Sequence, residues 1–317
     1  MILVTGATGF VGRAVSERLQ ERGSLRIAVR DLKSGPWHAN IEVAQATLDP
    51  DQDWHPLLSD VNAVVHCAAR VHVMRDDAED SLAEFRRVNV EGTLRLAEQA
   101  AEAGVQRFVF ISSIKVNGES TCLGHPFTEV QAPSPIDPYG LSKWEAECRL
   151  RALAGDTGME VVVIRPVLVY GPGVKANFLS LMRWLYTGAP LPLGAIQNKR
   201  SLVALDNLAD LIVICVDHPK AANETFLVSD GEDLSTTELL RRMSRALGRG
   251  PRLVGVPSWL LETAAKIIGK KSIAQRLCAS LQVDISHVRN QLGWSPPISV
   301  DVALEKTASH FLDQQKT

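Results

Sequence analysis

Short apolar runs alternate with stretches of helical periodicity along most of the chain. The apolar runs predict strands at residues 2–4, 25–29, 42–48, 63–69, 107–113, 161–171 and 225–229. Between the strands, apolar positions recur at the spacing of an α-helix, most clearly over residues 9–23, 85–104, 139–158 and 206–218. Strands that alternate with helices form a parallel sheet covered on both faces, so the pattern predicts an α/β fold with a doubly wound parallel sheet.

The pattern changes after Gly171. Residues 172–200 and the tail from residue 230 are richer in glycine, proline and polar turns, whereas the intervening segment returns to a helix followed by a strand. The simplest interpretation is a sheet domain formed by residues 1–171 and 201–229. A smaller, mostly C-terminal lobe would then be formed by residues 172–200 and 230–317.

Composition and charge restrict the class of protein. The chain has 317 residues, of which 45% are hydrophobic and 22% charged, and its net charge of −2 gives no general attraction for nucleic acid. No apolar run reaches the length of about 18 residues expected of a membrane span, and the N-terminus lacks the segments of an export signal. The five cysteines are scattered, with neither a CxxC pair nor zinc-ligand spacing. We therefore expect a cytoplasmic protein without a metal site.

A glycine-rich loop joins the first predicted strand to the first helix. Its sequence, TGATGFVG, contains Gly6, Gly9 and Gly12. The first glycine permits positive φ, the second lets a pyrophosphate approach the backbone, and the third lets helix and strand pack closely. The helix N-terminus adds free N–H groups and a partial positive charge. Because the loop opens a parallel α/β chain, it predicts a Rossmann-type dinucleotide site.

A tyrosine and a lysine lie in the first turns of the helix predicted at 139–158. If the segment is helical, Tyr139 and Lys143 share one face. A phenol with a pKa of about 10 is a poor acid–base group at neutral pH. An ammonium roughly 5 Å away favours the phenolate by about 3 kcal/mol at an effective dielectric of about 20, which lowers the pKa of the phenol by about two. The pair therefore predicts general acid–base catalysis, assisted by the positive ring of an oxidised nicotinamide.

These motifs resemble those of the short-chain dehydrogenase/reductase superfamily. The GxxGFxG form of the glycine loop, YGLSK at 139–143 and RPVLVYGPG at 165–173 are similar to its extended branch of nucleotide-sugar epimerases, dehydratases and reductases. The resemblance implies a Ser-Tyr-Lys triad of Ser113, Tyr139 and Lys143. Ser113 would hydrogen-bond the reacting sugar oxygen, Tyr139 would carry the proton, and Lys143 would tune Tyr139 and hold the nicotinamide ribose.

The resemblance also implies individual contacts to a cofactor and to a UDP-sugar substrate. On the cofactor side they are Gly6, Gly9, Phe10, Val11, Gly12, Arg30, Leu48, Asp49, Ala68, Ala69, Tyr139, Lys143 and Pro166. On the substrate side they are Ser113, Lys115, Asn177 and Arg200. Lys115 is equally well explained as a solvated surface cation.

Five residues near these positions carry further expectations. Asn89 matches the helix asparagine of the family, and Ser112 is expected to lie toward the cofactor. His66 is expected to be a buried strand residue, whereas Arg70 and His72 are candidates for the substrate side.

The end of the second strand indicates which dinucleotide is used. Arg30 stands where members that prefer NAD carry an aspartate for the ribose 2′-hydroxyl. A guanidinium suits a 2′-phosphate by charge and by its fork geometry, so Arg30 favours NADP(H). Asp31, the next residue, keeps NAD(H) open.

The residues after the catalytic serine restrict the reaction. Dehydratases that resemble this chain need an acid beside the triad serine or threonine, but here Ser113 is followed by Ile114 and Lys115. Isoleucine cannot donate a proton, which argues against dehydration. Asn117 also replaces the tyrosine that is usual in the family.

Two kinds of enzyme and one non-enzyme remain. Arg30 and runs such as SIKVNGE favour NADP(H)-dependent reduction of the C4 ketone of a UDP-4-keto-6-deoxy-hexosamine, as in bacterial O-antigen assembly. The runner-up is a UDP-sugar 4-epimerase with tightly held NAD. A dinucleotide-sensing scaffold of the same fold typically lacks the tyrosine or the lysine, and both are present here.

The resemblance implies a homodimer formed through helices 85–104 and 139–158. Separately, residues 257–277 place apolar residues at helical spacing beside Lys270 and Lys271. A helix packed on the core is the favoured interpretation, and contact with a membrane surface is the alternative.

Overall fold

The computed structural model describes residues 1–35, 37–71, 81–267, 269, 275 and 277–316. The predictions for His72, Lys270 and Lys271 lie outside these residues.

Within the described residues the chain forms ten strands, which divide between two sheets. In chain order they are β1 (Ile2–Thr5), β2 (Leu25–Val29), β3 (Ile41–Gln45), β4 (Ala63–His66), β5 (Arg107–Ile111), β6 (Glu160–Pro166), β7 (Leu168–Tyr170), β8 (Arg200–Ala204), β9 (Thr225–Val228) and β10 (Asp233–Leu234). Seven form one sheet in the order β3-β2-β1-β4-β5-β6-β9, and every neighbouring pair in it is parallel. The predicted doubly wound fold is confirmed.

Helices connect the strands and cover the sheet. They are α1 (Phe10–Leu19), α2 (His55–Leu58), α3 (Ser81–Arg86), α4 (Thr93–Glu102), α5 (Pro138–Thr157), α6 (Ala176–Thr187), α7 (Leu205–Cys215), α8 (Thr236–Ala246), α9 (Ser258–Ile267), α10 (Ser286–Leu292) and α11 (Val300–Gln314). Short 3₁₀ turns lie at Ile114–Val116 and Pro219–Ala221. The strand order reverses between β1 and β4, and ligands of open α/β sheets bind at such a switch point.

The predicted strand at 161–171 is in fact two strands in different sheets. The first part, β6, ends at Pro166, which has no N–H to continue the ladder. The second part, β7, pairs parallel with β8, and β8 pairs antiparallel with β10. The chain therefore leaves the large sheet directly after Pro166.

The predicted helix at 85–104 is also divided. A π-helix at Arg87–Gly92 separates α3 from α4. Gly92 explains how this turn fits, because a Cβ there would lie 2.7 Å from the carbonyl oxygen of Leu48. π-Turns inside helices occur frequently at functional sites, and this one carries Asn89.

Among the described residues, three buried apolar clusters stabilise the fold. Successive strand residues point to opposite faces, so Val4 and Val109 join one cluster while Leu3 and Phe108 join another. Full burial of each such side chain contributes roughly 1.5–3 kcal/mol. A third cluster gathers side chains from α6, α8 and α11 with those around the small sheet.

Within the 257–277 segment, α9 (Ser258–Ile267) is a helix with a mixed environment. Leu261 packs against the third cluster, whereas Trp259 is 67% and Ile267 81% exposed. Across the described ranges, every helix is too short or too polar to span a membrane.

Candidate active site

The glycine loop presses against the carboxyl end of β4. Gly6 has a φ of +71°, and a Cβ there would lie 2.6 Å from the backbone nitrogen of Ala68. A Cβ on Gly12 would lie 2.1 Å from the carbonyl oxygen of Gly6. Both positions therefore require glycine for steric reasons, and the loop and the Ala68–Ala69 segment adjoin at the switch point between β1 and β4.

The N-terminus of α1 is suited to an anion. Gly9 caps the helix without a side-chain hydrogen bond, so no side chain of the cap occupies the first N–H groups. Phe10 packs against the third apolar cluster, whereas Val11 packs against the cluster that contains Val4 and Val109. This uncapped helix end beside a glycine cradle fits the pyrophosphate of a dinucleotide.

The expected adenosine side of the site has charges of both signs. Arg30 is exposed directly after β2, and its carbonyl oxygen accepts a hydrogen bond of 3.0 Å from Gln45. Asp49 forms an ion pair of 2.6 Å with Arg87 of the π-helix, beside Leu48. The N–H of Asp51, followed by Arg87, lowers the pKa of the Asp49 carboxyl. The Asp49 carboxylate is thus held in place by protein groups.

Ser113 follows β5 and caps the short 3₁₀ turn. Its Oγ accepts a hydrogen bond of 3.2 Å from the backbone N–H of Lys115. Because that N–H occupies a lone pair of the oxygen, the hydroxyl hydrogen remains for donation to another acceptor. A sugar oxygen is such an acceptor.

Tyr139 lies in the first turn of α5. Asp137 caps this helix by accepting a hydrogen bond of 2.6 Å from the N–H of Gly140, and Pro138 occupies the first helical position. The Tyr139 ring is half-buried and lies edge-on to Phe85, with 6.0 Å between the ring centroids. The local sequence DPYG thus sets where the phenol enters the site.

Lys143 is buried one turn further along α5. Its Nζ donates a 2.8 Å hydrogen bond to the carbonyl oxygen of Ile111 and lies 4.4 Å from the centroid of the Phe110 ring. The side chain therefore runs along the end of β5, immediately before Ser113. Burial lowers the pKa of Lys143 to about 8, while Cys67 and Glu147 act in the opposite direction.

The expectation that Lys143 lowers the pKa of Tyr139 is not met by the protein groups alone. Burial raises the pKa of the Tyr139 phenol above its ordinary value, and the Asp137 carboxylate raises it further. The helical spacing of Tyr139 and Lys143 is as predicted, but burial is the largest cause of the shift of the phenol, and Asp137 is the next.

Asn89 joins three parts of the site. Its side chain accepts from the backbone N–H of Arg70 at 2.8 Å and donates to the Arg70 carbonyl at 3.0 Å. Its Nδ2 also lies 3.0 Å from Ser142 Oγ, and that hydroxyl donates to the Tyr139 carbonyl at 2.8 Å. Asn89 therefore ties the segment after β4 to the helix of the catalytic candidates.

A buried charged network behind the triad was not predicted from the sequence. Glu147 accepts from Arg165 at 3.0 and 2.6 Å and from Ser112 Oγ at 2.5 Å. Arg165 also donates to Asn117 at 2.9 Å. The Ser112 hydroxyl thus donates to Glu147, whereas its expected place toward the cofactor stays a prediction. The signal available in the sequence was an arginine inside an otherwise apolar strand, which requires a buried partner.

His66 is buried, as expected, between two hydroxyls. Its ring nitrogens lie 2.8 Å from Thr5 Oγ1 and 3.0 Å from Thr93 Oγ1. Burial, followed by the charge of Lys143, lowers the pKa of His66 to about 3. The imidazole is neutral and joins β1, β4 and α4.

The substrate-side candidates have diverse environments. Lys115 forms an ion pair with Asp137 and lies 3.4 Å from Glu119. Asn177 is exposed in the first turn of α6, and Arg200 is half-buried and donates to the Ala279 carbonyl at 3.1 Å. Pro166 is buried at the end of β6.

The chain matches one known protein family over most of its length. Residues 2–229 match the model of the NAD dependent epimerase/dehydratase family. The chain belongs to this family. The chain is 50% identical to a UDP-glucose 4-epimerase of Vibrio cholerae over 314 residues. This alignment covers 98% of the chain and 95% of the relative. The predicted resemblance is thereby confirmed at the level of the family.

More distant relatives and solved structures agree with the fold. The chain is 26% identical to an N-acetyl-alpha-D-glucosaminyl-diphospho-ditrans,octacis-undecaprenol 4-epimerase of Escherichia coli O157:H7, over 98% of the chain and 94% of the relative. A Thermotoga maritima UDP-glucose 4-epimerase with UDP-glucose has a TM-score of 0.78 at 22% identity, covering 99% of both chains. A Bacillus cereus UDP-glucuronic acid 4-epimerase in complex with NAD has a TM-score of 0.77 at 20% identity, covering 98% and 95%. At such identities, the structural likenesses show the fold.

Proposed function

We propose that this chain is a UDP-sugar 4-epimerase that retains NAD through the reaction. The observation that carries the proposal is the 50% identity to the Vibrio cholerae UDP-glucose 4-epimerase, which extends over nearly the whole of both chains. This finding reverses the order of preference reached from the sequence, where reduction of a 4-keto sugar came first.

The residues after Ser113 support chemistry confined to C4. Ile114 is 5% exposed and belongs to the apolar cluster that contains Val4 and Val109. It offers no proton to a leaving hydroxyl, and Lys115 beside it is paired with Asp137. A dehydration step has no acid at this position.

The proposed roles of the triad follow from their contacts. Tyr139 takes the proton from the C4 hydroxyl as the C4–H bond breaks and C4 becomes a ketone. It returns the proton to O4 when hydride adds to the other face of the rotated sugar. Ser113 donates its hydroxyl hydrogen to O4, because its own oxygen already accepts from Lys115 N–H. Lys143, whose Nζ donates to the Ile111 carbonyl, would hold the nicotinamide ribose and supply positive charge.

The glycine loop and the open end of α1 would hold NAD. Bound NAD would take and return the hydride and would supply a positive charge. Such a charge would offset the rise in the pKa of Tyr139 caused by burial and by Asp137. Solved relatives of the same fold contain NAD, among them the Bacillus cereus UDP-glucuronic acid 4-epimerase.

One observation favours a second candidate, the NADP(H)-dependent 4-keto reductase. Arg30 is exposed at the end of β2, where its guanidinium suits a 2′-phosphate. A reductase exchanges its cofactor in each turnover, whereas an epimerase retains it. The cofactor that copurifies with the protein therefore separates the two candidates.

The deciding experiment compares two incubations of purified protein. The first contains UDP-glucose or UDP-N-acetylglucosamine and no added cofactor, with the products separated by anion exchange. The second contains NADPH and a UDP-4-keto-6-deoxy-hexosamine, followed by the absorbance of NADPH. Epimerised product in the first supports the proposal, and NADPH oxidation in the second alone supports the reductase. Inactivity in both would overturn the proposal.

Matched variants make the assay specific. Tyr139→Phe is expected to lower either activity by about 10²-fold or more without loss of cofactor. Tyr186→Phe removes only the hydroxyl and keeps the ring, which packs edge-on to Phe311 at 5.6 Å between ring centroids. This control is expected to retain activity.

Further features of the protein stay proposals. We infer that residues 1–171 with 201–229 bind the dinucleotide and that residues 172–200 with 230–317 bind the nucleotide sugar, including Asn177 and Arg200. We infer a cytoplasmic homodimer in which α4 and α5 form the interface. Gel filtration with light scattering tests the oligomeric state.

A further inference from the structure

Lys115 contacts the elements that carry both Ser113 and Tyr139. Its backbone N–H donates to Ser113 Oγ at 3.2 Å, and its Nζ pairs with Asp137 Oδ2. The other carboxylate oxygen of Asp137 accepts from the N–H of Gly140 at 2.6 Å and so caps α5. One residue therefore joins the turn of the catalytic serine to the helix end of the catalytic tyrosine.

The two segments are packed too closely for this contact to be incidental. A Cβ on Gly140 would lie 2.9 Å from the Lys115 carbonyl oxygen and 3.2 Å from Lys115 Cβ. The side chain of Lys115 is 29% exposed and that of Asp137 18%, so water screens the pair only in part. Glu119, at 3.4 Å from Lys115 Nζ, is the second carboxylate near the ammonium.

We propose that Lys115 is a positioning residue of the catalytic site, which binds the Ser113 turn to the start of α5 and neutralises the Asp137 carboxylate beside Tyr139. An unpaired carboxylate two residues before the phenol would oppose formation of the phenolate. Pairing with Lys115 keeps the helix cap while reducing its cost to the acid–base step. The proposal rests on the proposed function, because it assigns Tyr139 the proton transfer.

Other groups around Tyr139 do not replace Lys115 in this role. On α5 itself, Lys143 is committed to the Ile111 carbonyl. From α3, the phenol is met by the apolar ring of Phe85, and Arg70 lies on that ring at 5.8 Å from its centroid. Arg70 in turn pairs with Glu84 at 3.8 Å. Among the described residues, Lys115 is thus the cation that forms an ion pair with the Asp137 carboxylate.

Four variants separate charge from structure. Lys115→Met leaves the Asp137 charge uncompensated. Asp137→Asn removes that charge but keeps a side chain that caps helices well. The double variant removes both charges, so its effect on Tyr139 should cancel. Lys115→Arg retains the charge and serves as the conservative control.

The titration of Tyr139 can be followed without enzymatic turnover. The chain has three tyrosines, so NMR of protein containing tyrosine labelled at Cζ gives few resonances, and Tyr139→Phe assigns the one of interest. Spectra are recorded with NAD⁺ present from about pH 6 to about pH 11. This readout remains valid even if no UDP-sugar is epimerised, so failure of the proposed function is distinguishable.

The midpoint of the Tyr139 titration is expected to be lowest in Asp137→Asn and highest in Lys115→Met. Wild type and the double variant should share a midpoint between these two. Each single substitution should move the Tyr139 midpoint by roughly one pH unit, and Lys115→Arg should match wild type. The midpoint of the pH dependence of kcat is expected to follow the same order among the variants. Superimposable curves for all variants would overturn the proposal. So would a Lys115→Met variant that raises KM alone, since that result indicates a substrate contact.

Discussion

The charged network behind the triad allows a quantitative test of the packing. Glu147 has no exposed side-chain surface and Arg165 is 2% exposed, with their closest approach at 2.6 Å. Glu147→Leu leaves the Arg165 guanidinium buried without its carboxylate. Removing one partner of a buried ion pair costs about 3–5 kcal/mol, because the remaining charge stays desolvated.

Replacing both partners should cost less than replacing one. In the double variant Glu147→Leu/Arg165→Met, no charge of the pair is left uncompensated, and apolar side chains of similar size fill the space. Asn117, Ser112 and the exposed Arg151, which donates to Glu147 at 3.0 Å, each lose one partner, which limits the recovery to part of the loss. An exposed pair is the matched control: Asp217→Asn, which breaks the 3.0 Å contact with Arg22, should cost under about 1 kcal/mol.

Thermal unfolding followed by circular dichroism measures these differences. Glu147→Leu is expected to lower Tm by about 5–10 °C, and Asp217→Asn by no more than about 2 °C. The double variant should melt above the single variant. Equal Tm values for Glu147→Leu and Asp217→Asn would show that the uncompensated charge is not the cause. So would a double variant whose loss of stability equals the sum of the losses of its two single substitutions.

Three further predictions concern the loop, a buried histidine and the catalytic tyrosine. Gly12→Ala should abolish retention of the dinucleotide, since its Cβ would lie 2.1 Å from a carbonyl oxygen; Gly155→Ala, in open space on α5, should raise stability by about 0.5–1 kcal/mol. Burial lowers the pKa of His66 from 6.5 to about 3, so the unfolded chain binds the extra proton first and stability falls as pH drops below 6.5. Urea unfolding at about pH 7 and about pH 5 should show this loss in wild type and a smaller one in His66→Gln. Tyr139→Phe should lower kcat by about 10²-fold or more with KM nearly unchanged, and a wild-type rate would remove Tyr139 from the acid–base role.

Much of the fold could be predicted because parallel strands are buried on both faces. Such strands appear as continuous apolar runs, and β2 was predicted at its observed bounds, residues 25–29. The boundaries that differed depended on single contacts. The helix predicted at 85–104 contains a π-turn whose last residue, Gly92, packs against the carbonyl of Leu48, a residue distant in the chain.

The candidate site shows the same division. The glycine loop and the spacing of Tyr139 and Lys143 were readable because they are local patterns. The partners of Lys115 and Ser112 were not, because Asp137 and Glu147 are brought to them by the docking of α5 on the end of β5. Polar partners distant in sequence leave no periodic signal.

By itself, the sequence determined the seven strands of the large sheet in their order along the chain, the glycine loop, the absence of an acid at Ile114 and the spacing of Tyr139 and Lys143. These properties depend on residue type and on periodicities of a few residues. Only the tertiary structure decided the protonation environment of Tyr139 and the partner of Lys115. Burial and the approach of Asp137, not helical spacing alone, set the pKa of the phenol, because desolvation and charge act through space rather than along the chain.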